Sequence, residues 1–109
     1  MPPLRRPEEF RAVYRRGKVI RRRYLDFRYL PRPEREEVRL GMTVSRKVGR
    51  AVRRNRLRRR IREFARLELR DLPPLDLVVH CRPGAAELSG RELRRELEAL
   101  AKGLRRRLA

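Results

Sequence analysis

Apolar positions along the chain change their spacing from segment to segment, and each change marks an element. After a short basic tail over residues 1–7 that ends at Pro7, Glu8 and Glu9 lead into Phe10, Val13 and Tyr14, whose three-four spacing stops at Gly17. Acids at the start and glycine at the end predict a short helix. From Lys18 to Leu30 the period falls to two, with Leu25, Phe27 and Tyr29 on one side and Tyr24, Asp26 and Arg28 on the other. This predicts extended structure with one apolar face and a second face open to solvent or to a ligand. The polar stretch Pro31 to Glu37 is a turn, after which Val38, Leu40, Met42 and Val44 alternate with Arg39, Gly41, Thr43 and Ser45. A hairpin between the two extended runs is the simplest pairing.

Beyond Gly49 the spacing returns to that of a helix. Leu57, Ile61, Phe64, Ala65 and Glu68 form one stripe, and the helix should end near Leu69 or Leu72, ahead of Pro73 and Pro74. Leu75 to Cys81 contains Leu77, Val78 and Val79 in succession, as expected for a strand covered on both faces. Strand, helix, strand order predicts that it pairs parallel with the preceding strand, so the sheet is mixed. Ser89 followed by Glu92 matches a capping box, and Leu93, Leu97, Leu100, Leu104 and Leu108 give the last helix its apolar stripe. The predicted fold is a single small α/β domain over residues 1–109 (an α+β sandwich) in the order α-β-β-β-α-β-α, with a mixed four-stranded sheet.

Charge then changes the picture. The 109 residues carry 33 lysines and arginines against 14 acids, a net charge of +19, and all but Lys18, Lys47 and Lys102 of the basic residues are arginine. Such self-repulsion calls for a polyanion, and the arginine fork suits phosphate. The run Arg46 to Arg66 holds eleven basic residues and one glutamate. On a helical wheel Asn55, Arg56, Arg59, Arg62 and Arg66 lie opposite the apolar stripe, forming a phosphate-binding rail. Arg50, Arg53 and Arg54 lie nearer the stripe, where the helix meets the sheet edge. Asn55 interrupts the charges and is suited either to capping or to reading RNA. No segment approaches the roughly twenty apolar residues of a membrane span, and no apolar signal-peptide core is visible. Cys81 is alone, which fits a reducing cytoplasm.

Protein-borne RNA cleavage requires a histidine acid/base pair or a carboxylate cluster holding metal ions. His80 is the only histidine and falls within a strand, which favours a structural role. Asp26, Asp71 and Asp76 are scattered, and most glutamates lie among arginines. No catalytic residue is therefore expected on this chain. Phe10 and Tyr14, one turn apart, could stack on unpaired bases; core packing is an equal reading for Phe10, whereas Tyr14 is expected to be partly exposed. An RNA-binding protein with no processing role, such as a ribosomal one, is the alternative that composition alone allows.

The stretch Gly41-Met42-Thr43-Val44-Ser45-Arg46-Lys47-Val48-Gly49, running into Ala51-Val52-Arg53-Arg54-Asn55-Arg56-Leu57-Arg58-Arg59-Arg60-Ile61-Arg62-Glu63, resembles the protein subunit of bacterial ribonuclease P. Arg54-Asn55-Arg56 matches that family's arginine-asparagine-arginine signature, and Phe10, Tyr14, Gly17 and the segment from Asp76 to Pro83 extend the likeness over nearly the whole chain. The resemblance implies an accessory protein that binds a catalytic RNA and the single-stranded 5′ leader of precursor tRNA, the RNA acting through bound Mg2+. It also implies a left-handed crossover carrying the arginine-rich helix, against the general rule. By position, Phe10, Tyr14, Arg28, Thr43 and Ser45 would line the leader cleft. Arg46, Lys47, Arg50, Arg54, Asn55, Arg56, Arg58, Arg59 and Arg62 would face the catalytic RNA. Two positions depart from the family pattern: Arg28 stands where relatives often carry tyrosine or an aliphatic residue, and Asp26 where an apolar residue is common. Asp26 is expected to pair with Arg28, the other reading being a metal ion held jointly with leader phosphates.

Overall fold

The computed structural model describes residues 1–109. Helix α1 (Pro7–Arg16) is followed by strands β1 (Lys18–Arg21), β2 (Leu25–Pro31) and β3 (Arg39–Thr43), a 3₁₀ turn at Arg46–Val48, helix α2 (Ala51–Glu68), strand β4 (Leu75–Cys81), a second 3₁₀ turn at Ala85–Glu87, and helix α3 (Gly90–Leu108). The predicted order of elements holds. Pro7 fits the first turn of α1, where its missing N–H would have had no partner, and the Glu9 carboxylate accepts from the backbone N–H groups of Arg6 at 3.1 Å and Arg5 at 3.3 Å. In α3 the expected capping box is present: the Glu92 N–H donates to Ser89 Oγ at 3.1 Å and the Ser89 N–H to Glu92 Oε1 at 2.8 Å.

The sheet order is β1-β2-β4-β3, with β1 and β4 antiparallel to β2 and β3 parallel to β4. The mixed sheet and the parallel pairing agree with the pattern, and the run from Lys18 to Leu30 supplies two of the four predicted strands, turning at residues 22–24, where the Arg22 N–H donates to the Leu25 carbonyl at 3.0 Å. One detail of the strand reading does not hold: β2 and β3 do not form a hairpin, because β4 lies between them. The physical reason lies in β4 itself. Six of its seven residues are buried, and only a central position covers both its faces and satisfies both its backbone edges. Helix α2 makes the connection from β3 to β4.

Two apolar layers hold the helices to opposite faces of the sheet. Leu25, Phe27, Tyr29, Leu77 and Val79 pack against Leu57, Ile61, Phe64 and Ala65 of α2 and Leu93, Leu97, Leu100 and Leu104 of α3. Each fully buried side chain of this size stabilises the fold by about 1.5–3 kcal/mol relative to exposure. On the other face a smaller cluster of Leu4, Val13 and Val78, joined by Phe10, Tyr14 and Leu30, seats α1. The second face of β2 is therefore not open to solvent as its polar residues suggested, since α1 covers it. The amino-terminal tail is also engaged. Pro3 bridges to Leu40, the Leu4 N–H donates to the Leu40 carbonyl at 2.8 Å, and Leu4 is buried, so the tail shields the β3 edge.

Candidate RNA interface

The pleat of the sheet arranges the residues beneath α1 in three rows. In register, Asp26, His80 and Thr43 form one row, Arg28, Val78 and Gly41 the next, and Leu30, Asp76 and Arg39 the third. Gly41 is needed in the middle row, because a Cβ there would lie 2.7 Å from Phe10 Cζ and 3.0 Å from Leu4 Cβ. Phe10 thus rests on bare backbone and is partly buried. A cleft of about 230 Å³ runs from Phe10 past Leu4, Gly41 and Met42 to Arg58 and Arg62 of α2. It joins the aromatic site to the basic helix.

Tyr14 closes the first row. Its hydroxyl lies 2.6 Å from His80 Nδ1 and 2.8 Å from Thr43 Oγ1, and the Arg28 guanidinium carbon sits 4.7 Å from its ring centroid. Tyr14 is half-buried, as its need for a polar partner suggested. Burial raises its hydroxyl pKa against the opposing influence of Thr43 and Arg28. Burial, with Arg28 and Arg82 beside it and Asp26 opposing, holds His80 below the ordinary imidazole value.

Asp26 is fully buried, and its expected partner Arg28 is there, with Nη2 donating at 3.3 Å. The stronger partner is one the sequence reading passed over. Arg82 donates from Nη1 and Nη2 to the two carboxylate oxygens of Asp26 at 2.6 Å each. In the third row Asp76, also fully buried, accepts from Arg39 Nε and Nη2 at 2.8 Å each and from Arg32 Nε at 3.1 Å, while Arg39 Nη1 donates to Glu9 of α1. His80, Arg82, Arg39 and Asp76 were all missed as members of the site. The available signal was the alternation of Asp76, Val78 and His80 along an otherwise apolar strand.

On α2, Arg56, Arg59, Arg62 and Arg66 point to solvent with Asn55 and Arg53. Arg66 bonds Glu63 at 3.0 Å and Arg53 approaches Glu87 at 3.5 Å, both at the surface, where such pairs contribute little. Arg46, Lys47 and Arg50, exposed around the 3₁₀ turn, extend the same cationic surface past the amino terminus of the helix, whose dipole adds to it. Ser45, at the border with the cleft, is exposed. Two members of the set differ. Arg54 is partly buried and donates to the Gly49 carbonyl at 3.0 Å, and Arg58 donates to the Val44 carbonyl at 3.3 Å and to Asn55 Oδ1 at 3.1 Å. Arg58 ties the helix to the end of β3, and Arg54 ties it to the residue just before its N-cap. Asn55 neither caps nor stands alone, since its oxygen orients Arg58.

Burial pushes the Cys81 thiol up to about 12, so it stays protonated and unreactive. No helix is long and apolar enough to cross a membrane.

The family model described as Ribonuclease P matches residues 2–105. A ribonuclease P protein component from Bacillus velezensis is 37% identical over 97 residues, covering 89% of this chain and 84% of its own length. One from Geobacillus kaustophilus is 38% identical over 95 residues, covering 86% and 78%. Among solved structures, the Staphylococcus aureus RNase P protein superposes with a TM-score of 0.87 at 26% identity, covering 94% of each chain. The Thermotoga maritima RNase P protein does so with a TM-score of 0.79 at 30% identity, covering 94% of this chain and 96% of its own.

Proposed function

Since the chain belongs to the ribonuclease P protein family, we propose that it is the protein subunit of a cytoplasmic ribonucleoprotein that removes the 5′ leader of precursor tRNA, holding the catalytic RNA on one surface and the leader on another. The observation that carries this reading is the adjacency of two unlike surfaces. The cleft that Phe10 lines opens directly onto Arg58 and Arg62 of α2, and Tyr14 follows Phe10 one turn along α1, packed on the same small cluster. Stacking on aromatic rings grips single strands without regard to sequence, as a leader requires, while the exposed guanidinium rail suits the phosphates of a folded RNA. Arg46, Lys47, Arg50, Arg53, Asn55, Arg56, Arg59, Arg62 and Arg66 would face the catalytic RNA, with Arg54 and Arg58 fixing the helix they stand on. Phe10, Tyr14, Arg28, Thr43 and Ser45 would meet the leader.

The chain's own residues do not fit a resident Mg2+. The two buried carboxylates, Asp26 and Asp76, are held by guanidinium groups, and no group of three or more histidine, cysteine, aspartate or glutamate side chains is placed to hold a metal ion. In this reading the RNA holds the magnesium and performs cleavage, and the protein contributes positive charge and leader affinity. Protein charge then substitutes in part for ionic screening. The test is reconstitution with a bacterial ribonuclease P RNA at low magnesium. The protein should raise precursor cleavage over RNA alone, and Tyr14→Ala should weaken leader-bearing precursor by roughly 1–3 kcal/mol while sparing a leaderless substrate. No gain from the protein would refute the reading, and equal loss on both substrates would refute the cleft assignment.

A further inference from the structure

We propose that His80 is a positioning residue for Tyr14, fixing from the sheet beneath α1 the ring that meets the leader. The inference rests on the leader reading above and adds to it a residue and a mechanism. Tyr14 projects from a helix onto a sheet, and three strands reach its ring: Arg28 on β2 over its face, Thr43 on β3 and His80 on β4 at its hydroxyl. The imidazole also meets the ring edge-on, with centroids 5.8 Å apart and planes at 77°. A ring held at its hydroxyl, edge and face has little rotational freedom left to lose when a base stacks on it.

The proton arrangement follows from the surroundings. Facing His80 are Tyr14 from α1, Asp26 and Arg28 from β2, Thr43 from β3, and Arg82 just beyond β4. Two guanidiniums against one carboxylate, in a partly buried place, keep the imidazole neutral. In the neutral ring we assign the proton to Nε2, so that Nδ1 accepts from the Tyr14 O–H and the tyrosine oxygen accepts from the Thr43 hydroxyl. Arg82 completes the arrangement at one remove. Its double hydrogen bond locks Asp26, Asp26 restrains the Arg28 guanidinium, and Arg28 lies on the tyrosine ring.

The experiment uses the reconstituted holoenzyme and compares dissociation constants for leader-bearing and leaderless precursor, whose ratio is the leader contribution. His80→Phe keeps a ring of similar size without the acceptor, and His80→Asn returns a carbonyl oxygen close to the place of Nδ1. The Phe variant should reduce the leader contribution about three- to tenfold, the effect of one net hydrogen bond, with leaderless affinity unchanged. The Asn variant should recover most of it. Tyr14→Phe should lose at least as much as His80→Phe, since it also gives up the bond to Thr43, and the double variant no more than Tyr14→Phe alone, because the bond to His80 is already gone there. Additive losses, or equal weakening of the leaderless substrate, would overturn the role of His80. If His80→Phe does not fold, the same cycle run with His80→Leu, scored against the His80→Asn rescue, decides the matter. Should Tyr14→Ala reduce the leader contribution while the His80 variants do not, the positioning role fails and the leader reading stands. Should Tyr14→Ala itself be indifferent to the leader, the leader reading fails.

Discussion

Replacing Asp76 by asparagine should destabilise this protein more than any exposed charge substitution, because the clamp beneath α1 is nearly dry. Asp76 has no exposed surface, and the side chains of its partners Arg39 and Arg32 are only 13% and 19% exposed. Three N–H groups converge on its carboxylate, two from Arg39 and one from Arg32, and Arg39 carries the connection on to Glu9 of α1. The amide keeps one acceptor oxygen but removes the charge, leaving two guanidiniums facing one another away from water. Removing one partner of a buried ion pair costs about 3–5 kcal/mol. Against a typical stability of about 5–15 kcal/mol, that is about a fifth of the total at the least. In urea, with a slope of about 2 kcal/mol per molar, the midpoint should fall by roughly 2 M at unchanged slope. The measurement belongs in sulfate buffer, where the +19 charge is neutralised and the native state is populated. Glu87→Gln is the control. Its pair with Arg53 is 3.5 Å long with both side chains about half exposed, and it should move the midpoint little. If Asp76→Asn moves the midpoint no further than Glu87→Gln, the clamp is a surface pair in effect and the reasoning fails. Replacing Asp76 and Arg39 together by leucine and methionine should recover part of the loss, since Arg32 then keeps only its pair with Glu34 and Glu9 its backbone bonds to Arg5 and Arg6.

Other outcomes follow from the same geometry. Arg62→Ala, at an exposed rail position, should lower affinity for the catalytic RNA and reduce the slope of log affinity against log salt by about one, with the urea midpoint nearly unchanged. Gly41→Ala sets a methyl group 2.7 Å from Phe10 Cζ; it should cost about 1–3 kcal/mol in unfolding experiments and weaken leader-bearing precursor selectively as Phe10 and α1 shift. His80, held below its unfolded value of 6.5 chiefly by burial, binds fewer protons folded than unfolded. Its contribution is therefore present above pH 6.5 and lost as pH falls through 6.5 toward the folded value, so urea midpoints between pH 8 and 5 should show a drop that His80→Asn lacks.

How far the sequence determined this protein depends on whether its signals were local. Spacing alone placed α1, α2, β4 and the Ser89 cap of α3, because helix and strand periods and capping are set by neighbours a few residues apart. Charge alone indicated the rail, since a helix with one buried stripe must turn its remaining residues outward. Motif resemblance supplied the family. The pairing of strands was another matter. A hairpin is the local choice for β2 and β3, and only the two-sided burial of β4 places that strand between them.

That insertion decides the chemistry of the cleft. It puts His80 between Asp26 and Thr43, and Asp76 between Leu30 and Arg39, partners 37 to 54 residues apart in the chain. Alternation marked Asp26 and Arg28 as outward, and they do leave the main core, but a second layer under α1 receives them. Which arginines face solvent and which hold the fold was equally undecided by composition. Arg58 and Arg59 are chemically identical neighbours, yet one donates to a backbone carbonyl and the other faces solvent. Tertiary structure separates them because a hydrogen bond depends on where an acceptor lies in space, and sequence distance does not encode that.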